Sequence, residues 1–332
     1  MHRGGDNFAT ADERDRGSAL EFGTLVRCHF AIWDGVGMHI ETYLSELRFA
    51  LSATPNWNSR FKLLAATTRF HLNNFKRSAS ADQTPVELDL NIGRATRTLA
   101  IRPYSGDIFI LYEVLAWESY KVPERLIEPG SVKTIIDCGA NIGLTALYLA
   151  DRYPNARIVS VEPDPVNFAL LVRNTKAEPR IIPVQAALVG KRQGPVILSQ
   201  DRPAWGNSIS SASGGTSSGG TSSGSSSSGS SGGSSGGIEV ASVTMADLCA
   251  AHGIASIELL KVDIEGAEEG VFADPQFLRM VRYVMIELHG DYTLEKFRRD
   301  IAPMGFTAEP PGAADGPRAV TAFPAKSSKG RL

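Results

Sequence analysis

The stretch that decides the fold is TIIDCGANIG, residues 134–143. A short β-branched apolar run ends in Asp137, Gly139 and Gly143 follow, and a helical pattern begins at Leu144. This order predicts a strand, a tight turn and a helix, in which glycine lets a ligand approach the backbone closely. In doubly wound α/β folds, ligands bind at such a point, beyond the carboxyl ends of the parallel strands.

The chain from Val132 onward alternates short apolar segments with helical patterns. Such alternation predicts βαβ units, a parallel sheet and helices on both of its faces. The predicted strands are residues 134–137, 157–161, 180–184, 257–263 and 281–288, and the predicted helices are residues 143–152, 164–176, 244–252, 266–273 and 292–302. Two further segments, 304–309 and 318–323, suit a closing antiparallel hairpin.

The part of the chain before this region has three sections. Residues 1–18 are polar and mixed in charge, which predicts a flexible tail, and residues 19–80 carry apolar residues at helical spacing, interrupted at Pro55. Residues 84–130 predict a β-rich segment, with an alternating strand at 86–92 and a hairpin partner at 98–102. Residues 108–115 suit either a helix or an extended segment.

Residues 210–237 are almost wholly Ser, Gly and Thr. They have almost no apolar side chains to offset chain entropy, so we expect a flexible insert whose ends are held by strands at 196–199 and 239–242. One alternative is a mobile lid over a pocket. A tolerated surface expansion is favoured, because lids usually carry apolar or charged anchors.

The composition excludes several classes of protein. The net charge of −2 over 332 residues gives no broad basic field, so no nucleic-acid partner is expected. Three distant cysteines form no disulfide framework, which favours a reducing, cytoplasmic location. No signal peptide and no run of about 20 apolar residues is present, so no transmembrane segment is predicted.

Two acids stand at the ends of neighbouring predicted strands. Asp137 ends the first, and Glu162 ends the second. An acid at the second strand's tip can accept hydrogen bonds from both hydroxyls of a ribose. The alternative is that Glu162 caps the next helix, but Asp164 can do so and leave Glu162 free. Replacing Glu162 with alanine is therefore expected to weaken ligand binding with little loss of stability.

The glycine turn departs from the GxGxxG pattern of dinucleotide-binding proteins. Asn141 stands where a second glycine would let a pyrophosphate approach. This counts against NAD and suits a nucleoside ligand without a pyrophosphate. Cys138 is predicted to be a packed apolar residue rather than a nucleophile, because no histidine or other base lies nearby in the sequence.

A second group of acids follows the predicted strand in LLKVDIEGAE, residues 259–268. Residues i and i+2 of an extended chain point the same way, so Asp263 and Glu265 would both face the cleft. Two carboxylates there can position a ligand, bind a divalent ion or share the role of a base. The alternative is helix capping by Glu265 and Glu268, for which Asp263 lies too early.

A third group lies in VMIELHG, residues 284–290. Glu287 and His289 share strand parity and would reach the same face near the strand's carboxyl end. The ordinary pKa of histidine lies near neutrality, so His289 is a candidate general base. The alternative is a hydrogen-bonded structural histidine.

Together these motifs resemble those of the FkbM family of S-adenosylmethionine-dependent methyltransferases. The matching stretches are DCGANIG at 137–143, VEPDP at 161–165, VQAALVG at 184–190, KVDIEGAE at 261–268 and MIELH at 285–289. The resemblance runs from about Val86 to Phe306, and residues 105–120 are similar to the segment before the family's domain. The N-terminal helices and the insert lie outside it.

The resemblance implies a Rossmann-like class I methyltransferase fold of the α/β class. This fold has a mostly parallel seven-stranded sheet, helices on both faces and here an N-terminal helical extension, with the methyltransferase domain at 131–326. The implied cofactor is S-adenosylmethionine. The implied reaction is methyl transfer to oxygen, often a hydroxyl of a sugar, glycolipid or secondary metabolite, so the partner is a small-molecule or glycan acceptor.

The resemblance also implies which residues surround the cofactor. The turn residues would hold its methionine part, Glu162 its ribose, and the segment after the third strand its adenine. The implied cofactor-binding residues are Asp137, Gly139, Ala140, Asn141, Gly143, Glu162, Pro163, Gln185, Ala186 and Asp263, and the catalytic candidates beside the sulfonium and the acceptor are Asp263, Glu265 and His289.

Two other functions compete with this one. The first is a different Rossmann-type enzyme such as a nicotinamide oxidoreductase, against which Asn141 and the KVDIEG run both argue. The second is a noncatalytic adenosylmethionine-binding or scaffolding protein whose N-terminal helices contact a partner. A divalent metal, the acceptor's identity and the oligomeric state are left open by the sequence.

Overall fold

The computed structural model describes residues 40–76, 84–103, 106–122, 124, 126–199, 209–211, 237–311 and 319–325. The predicted tail at 1–18, the helical region before Ile40 and insert residues 212–236 lie outside the described residues. None of the described helices has the length and hydropathy that crossing a bilayer requires.

Two helices begin the described chain, α1 (Ile40–Ala53) and α2 (Trp57–Lys76). The predicted interruption at Pro55 is confirmed. The Thr54 hydroxyl donates to the Ala50 carbonyl oxygen at 2.6 Å, closing the end of α1. Asn56 Oδ1 accepts from the Ser59 backbone N–H at 2.8 Å, which satisfies a free donor in the first turn of α2.

The predicted hairpin follows as β1 (Val86–Ile92) and β2 (Ala95–Ile101), which pair antiparallel. Its two-residue turn places Gly93 at a φ of 57°, a conformation that glycine adopts without strain. The next segment resolves the open alternative, since it is helical: α3 (Asp107–Leu111) runs directly into a π-helical turn, Tyr112–Ala116.

The remaining elements alternate as the sequence predicts. The strands are β3 (Thr134–Cys138), β4 (Arg157–Val161), β5 (Ile181–Val184), β6 (Ala187–Leu188), β7 (Val196–Leu198), β8 (Ile209–Ser211), β9 (Ile238–Val240), β10 (Ser242–Val243), β11 (Ile257–Val262), β12 (Val281–Ile286), β13 (Phe306–Glu309) and β14 (Val320–Pro324). The helices are α4 (Leu144–Arg152), α5 (Pro165–Thr175), α6 (Met245–His252), α7 (Glu268–Phe272) and α8 (Leu294–Ile301).

Seven strands form the central sheet in the order β13-β14-β12-β11-β3-β4-β5. The five from β12 to β5 are mutually parallel, β14 pairs antiparallel with β12, and β13 pairs antiparallel with β14. The predicted closing hairpin and the seven-stranded, mostly parallel class I methyltransferase sheet are therefore confirmed. The order reverses on either side of β3, so the carboxyl ends of β3, β4 and β11 flank the switch point at which such folds bind ligands.

Consecutive residues of the central strands point to two separate cores. Ile135 packs in the core that includes α2 and α4, whereas Ile136 packs in the core that includes α6 and α8. Leu259 and Leu260 of β11 divide in the same way. Because side chains alternate across a strand, this division shows that both faces of the sheet are covered.

The structure corrects two predicted boundaries. Ser210 and Ser211, assigned to the flexible insert, lie in β8 and pair with β7, which also pairs with β9. The predicted helix at 266–273 begins two residues later, at Glu268, because Glu265 and Gly266 have φ angles of 54° and 103°. A residue with positive φ cannot continue a right-handed helix.

Candidate active site

Four strand ends bring acidic residues to one edge of the sheet. Asp137 lies within β3, Glu162 follows β4, Asp263 follows β11 and Glu287 follows β12. The backbone keeps these ends in register: Asp263 N donates to the Cys138 carbonyl at 3.1 Å, and Glu287 N donates to the Val262 carbonyl at 3.0 Å. The predicted convergence of these acids is present in the structure.

The turn after β3 is shaped by its contact with the neighbouring strand end. Gly139 has a φ of 77°, and a Cβ there would lie 1.7 Å from the Asp263 carbonyl oxygen. Gly143 has a φ of 93° immediately before α4. Asn141 has a φ of 48°, and its side-chain Oδ1 accepts from the Ile142 N–H at 2.7 Å. Asparagine tolerates this conformation because its short polar side chain bonds locally.

Glu162 is not free, which corrects the sequence prediction. Its Oε2 accepts from Asn141 N at 2.8 Å and its Oε1 from Asp164 N at 2.9 Å, and 5% of the residue is exposed. Asp164 caps α5 as predicted, accepting from Val166 N and Asn167 N. Glu162 therefore also holds the glycine turn, so replacing it with alanine would leave two inward N–H groups unpaired and lower stability, contrary to the expectation above.

Burial raises the pKa of Glu162 to about 7, although its backbone hydrogen bonds oppose the change. Each carboxylate oxygen accepts one backbone bond and retains capacity for a second donor. The side chain is thus fixed in orientation while it can still accept from two further hydroxyl groups.

Asp137 and Lys261 form a buried pair across β3 and β11. They are register partners, and Lys261 Nζ lies 3.6 Å from Asp137 Oδ1. Lys261 Nζ also donates to the Gly139 carbonyl oxygen at 2.8 Å. Burial raises the pKa of Asp137, and Lys261 partly offsets this; Asp263 and Asp137 raise the pKa of Lys261 although burial opposes them. The lysine therefore bridges the strand and the turn that follows it.

Tyr120 joins the site from the segment before β3. Its hydroxyl lies 2.6 Å from Glu287 Oε1 and 3.0 Å from Asp263 Oδ2, and 3% of the residue is exposed. The Lys261 ammonium lies 5.0 Å from the centre of the Tyr120 ring. A phenol, an ammonium and two carboxylates thus surround one buried point.

One proton arrangement satisfies the contacts of Tyr120. Burial and the charge of Asp263 raise the pKa of Glu287 to about 7, whereas Lys261 and His289 lower the pKa of Asp263 although burial opposes them. A hydroxyl donates a single proton. When Glu287 is protonated it donates to Tyr120, and Tyr120 donates to the ionised Asp263.

His289 is held by an acid that sequence analysis treated as a helix cap. Glu268 is fully buried, and its Oε1 lies 2.8 Å from His289 Nδ1. The same carboxylate accepts from Ile264 N at 3.1 Å and Gly266 N at 2.9 Å, so it does cap the turn before α7. It also fixes the orientation of the imidazole.

The three catalytic candidates do come together. His289 Nε2 lies 3.8 Å from Asp263 Oδ1 and 3.7 Å from Glu265 Oε2. The left-handed backbone at Glu265, rather than the extended chain that was predicted, brings its carboxylate to this point. One ligand atom from each of the three residues lies within 4.8 Å of the other two, a spacing that a metal ion could bridge.

The charges around His289 count against the general-base role predicted for it. The Glu268 hydrogen bond and the Asp263 charge raise the pKa of His289 to about 10 although burial opposes them. An imidazole that already carries a proton at neutral pH cannot take another, so His289 is no general base in this state. Burial and the Asp263 charge raise the pKa of Glu265 to about 8, which is close to that of a working base.

The remaining predicted cofactor residues line the same edge. Glu162 N donates to the Val184 carbonyl at 3.0 Å, which places the end of β5 beside Glu162. Gln185 follows that end and is exposed, whereas Ala186 is buried and Pro163 is half-buried. Ala140 N donates to the Val161 carbonyl at 3.0 Å within the turn.

Cys138 is packed, as its sequence context predicts. The side chain is fully buried in the core that includes α6 and α8. Burial, together with the charge of Asp137, raises the pKa of the thiol far above its ordinary value. A thiol in this state has no nucleophilic character.

Two residues of the site, Tyr120 and Lys261, were not predicted, and neither was the contact between Glu268 and His289. Lys261 stands in the quoted KVDIEG run, and a lysine inside an otherwise apolar strand is a signal of a buried charge pair. Tyr120 and Asp263 are 143 residues apart, and no local pattern connects them.

Comparison with known proteins finds one recurrent description. A family model described as Methyltransferase FkbM domain matches residues 137–304, about half of the 332 residues. Methyltransferase sdnD of Sordaria araneosa is 28% identical over 194 residues, which cover 54% of this chain and 73% of that protein. The 31-O-demethyl-FK506 methyltransferase FkbM of Streptomyces tacrolimicus is 29% identical over 200 residues, which cover 56% of this chain and 76% of that protein.

Similarity to solved structures is distant. Fibrillarin of Aeropyrum pernix, with natively bound S-adenosylmethionine, aligns with 62% of this chain and 75% of its own, at 13% identity and a TM-score of 0.35. At that TM-score the likeness adds nothing to the sheet order described above.

Proposed function

Because the chain belongs to the FkbM methyltransferase family and is an S-adenosylmethionine-dependent methyltransferase, we propose that it methylates a hydroxyl oxygen of a sugar, glycolipid or secondary metabolite. The observation that carries this proposal is the convergence of Asp263, Glu265 and His289 at the carboxyl ends of the strands. Burial and the Asp263 charge raise the pKa of Glu265 there to about 8, which suits the removal of a proton from an alcohol. The printed name of the Streptomyces tacrolimicus relative, which refers to a 31-O-demethyl compound, supports an oxygen acceptor.

The donor is proposed to lie along the carboxyl ends of β3, β4 and β5. Glu162 accepts from the two ribose hydroxyls, since its carboxylate is oriented by Asn141 N and Asp164 N and retains acceptor capacity. The turn from Gly139 to Gly143, next to Asp137, surrounds the methionine part. Pro163, Gln185 and Ala186 border the adenine.

The sulfonium is proposed to lie beside Asp263. The pKa of this carboxyl is lowered by Lys261 and His289, so it is ionised at neutral pH and attracts a cation. Tyr120 and Lys261 both bond its Oδ2, which leaves Oδ1 directed toward His289. The reactive methyl comes with the cofactor, so the protein's task is to align donor and acceptor.

Glu265 is the proposed general base. Its side chain is 28% exposed, so an acceptor can reach it from solvent. As the acceptor oxygen attacks the methyl carbon, the C–S bond breaks with its electrons left on sulfur, and the hydroxyl proton passes to Glu265. His289, held protonated by Glu268, lies 3.7 Å from Glu265 and stabilises its ionised form.

Transfer of an isotopically labelled methyl group tests the proposal. Cell extracts would be incubated with the protein and labelled donor, and the products that gain mass would be fragmented to locate the methyl. We expect the labelled methyl group to be bonded to an ether oxygen of the product, and we expect the Glu265→Gln variant to form little product. Labelling of nitrogen or carbon, or donor binding without any labelled product, would contradict the proposal.

A further inference from the structure

The side chains of Asp263, Glu265 and His289 converge on a single point. Asp263 Oδ1 and Glu265 Oε2 lie 3.8 Å and 3.7 Å from His289 Nε2. Both distances are too long for hydrogen bonds, which need about 3 Å. Two oxygens and a nitrogen bound to a common cation at about 2.0–2.2 Å lie about 3 Å apart when adjacent and about 4.2 Å apart when opposite. The observed spacings fall within that range.

The orientation of each donor is set by contacts on its far side. Tyr120 and Lys261 bond Asp263 through Oδ2, at 3.0 Å and 3.4 Å, which turns Oδ1 toward His289. Glu268 bonds His289 through Nδ1 at 2.8 Å, so Nδ1–H donates to Glu268 and Nε2 faces the other two side chains. A cation bound at Nε2 takes the place of the proton that this nitrogen carries in the cation-free protein. Metal-binding histidines are typically fixed by a carboxylate on their other ring nitrogen, as here.

The local charge favours a cation. Five carboxylates lie in this neighbourhood, those of Asp137, Asp263, Glu265, Glu268 and Glu287. Within the described part of the chain, Lys261 is the one lysine or arginine that forms an ion pair with any of them, and it contacts Asp137 and Asp263. Glu265 and Glu268 have His289 as their ion-pair partner among the described residues.

From this arrangement we infer that Asp263, Glu265 and His289 bind one divalent cation. Carboxylate oxygens suit Mg²⁺ and Mn²⁺, whereas imidazole suits Zn²⁺, Fe²⁺ and related ions, so a mixed set of two oxygens and one nitrogen favours Mn²⁺, Fe²⁺ or Zn²⁺ over Ca²⁺. Three protein ligands leave positions for other oxygens.

The role of this cation in the reaction rests on the proposed function. An acceptor hydroxyl bound to the cation would be held beside the methyl carbon and would lose its proton more easily. Glu265 would then bind the cation through Oε2 and keep Oε1 to receive that proton. The acceptor oxygen gains the methyl carbon and the sulfur keeps the electron pair of the broken bond.

Electron paramagnetic resonance of Mn²⁺ tests the site without any turnover. Mn²⁺ would be titrated into the EDTA-treated full chain, and free Mn²⁺ followed by its signal. We expect one bound ion per chain, and affinity at least about tenfold weaker in Glu265→Gln and in His289→Ala. Glu268→Gln should weaken it about 10- to 100-fold by releasing the histidine.

Glu269→Gln is the matched control. Glu269 lies four residues beyond Glu265, its side chain is 53% exposed, and it pairs with Lys296 at 3.5 Å. Its variant should bind Mn²⁺ as the wild type does. Thermal unfolding followed by circular dichroism identifies any variant that fails to fold, and the ligand variants that do fold decide the outcome. No stoichiometric Mn²⁺ in the wild type, or equal binding in the ligand variants and the control, would overturn the inference.

Calorimetry with S-adenosylmethionine on the EDTA-treated chain separates this inference from the proposed function. Donor binding and methyl transfer to oxygen without Mn²⁺ binding would overturn the metal site and keep the methyltransferase assignment. Mn²⁺ binding that follows the three ligands, with no methyl transferred to oxygen, would support the site and contradict the proposed function.

Discussion

Replacing Glu162 with glutamine should remove a pH dependence from the stability of the ligand-free protein while weakening donor binding. The wild-type carboxyl is buried, and its pKa rises from 4.5 to about 7. An acid whose folded pKa exceeds its unfolded value contributes stability below the unfolded pKa, and this contribution is lost as pH rises through the folded pKa. The contribution of Glu162 to wild-type stability should therefore fall between pH 4.5 and pH 8.

The size of this effect follows from the two pKa values. The difference between 4.5 and about 7 corresponds to about 3 kcal/mol in the free energy of unfolding, at 1.36 kcal/mol per pKa unit. Glutamine remains uncharged, but its single amide oxygen can accept only one of the two bonds from Asn141 N and Asp164 N, a loss that is the same at every pH. The stability of the Glu162→Gln variant, measured relative to the wild type, should therefore rise by up to about 3 kcal/mol between pH 4.5 and pH 8.

Urea unfolding of both proteins at pH 5 and pH 8 measures this difference. Glu87→Gln serves as the control, because Glu87 is an acid on β1 whose side chain is 57% exposed. Calorimetry at pH 8 should show donor affinity lowered about 10- to 150-fold in Glu162→Gln, since a charged acceptor contributes about 1.5–3 kcal/mol. A stability difference that does not change with pH, or an unchanged donor affinity, would refute the reasoning.

Three further predictions follow from contacts within the site. Gly139→Ala should lower the free energy of unfolding by more than the roughly 1–2 kcal/mol that a left-handed conformation costs an alanine, because its Cβ would lie 1.7 Å from the Asp263 carbonyl oxygen. Urea unfolding measures this loss. The control Gly194→Ala, whose Cβ would have nothing within 4 Å, should stay near wild type. Tyr120→Phe should lower kcat about tenfold or more with little change in donor Kd, because it removes the donor to Asp263; wild-type kcat would contradict this. The rate should rise through about pH 8 as Glu265 loses its proton, and a steady-state pH profile of Glu265→Gln should lack that rise.

The central sheet could be predicted because its strands carry their own signals. Residues 134–137 and 157–161 are short apolar runs followed by a turn and a helix, and this local order specifies βαβ units without knowledge of distant contacts. Asp137, Glu162 and Asp263 could be assigned to one edge because parallel strands end on the same side. The register then follows from packing on both faces.

The detailed contacts of the site could not be predicted, because they depend on distant residues and on burial. Tyr120 reaches Asp263 across 143 residues of sequence. The two hydrogen bonds that Glu162 accepts from Asn141 N and Asp164 N depend on the path of the turn. The raised pKa of His289 is due to its hydrogen bond with Glu268 and to the charge of Asp263, and the position of the Glu265 carboxylate depends on a left-handed backbone at that residue.

A crystal structure with bound adenosylhomocysteine tests the central claim most directly. The product analogue should lie along the carboxyl ends of β3, β4 and β5, with both ribose hydroxyls within hydrogen-bond distance of Glu162 and its sulfur beside Asp263. An empty cleft at saturating ligand, or the nucleoside bound away from Glu162, would contradict the account.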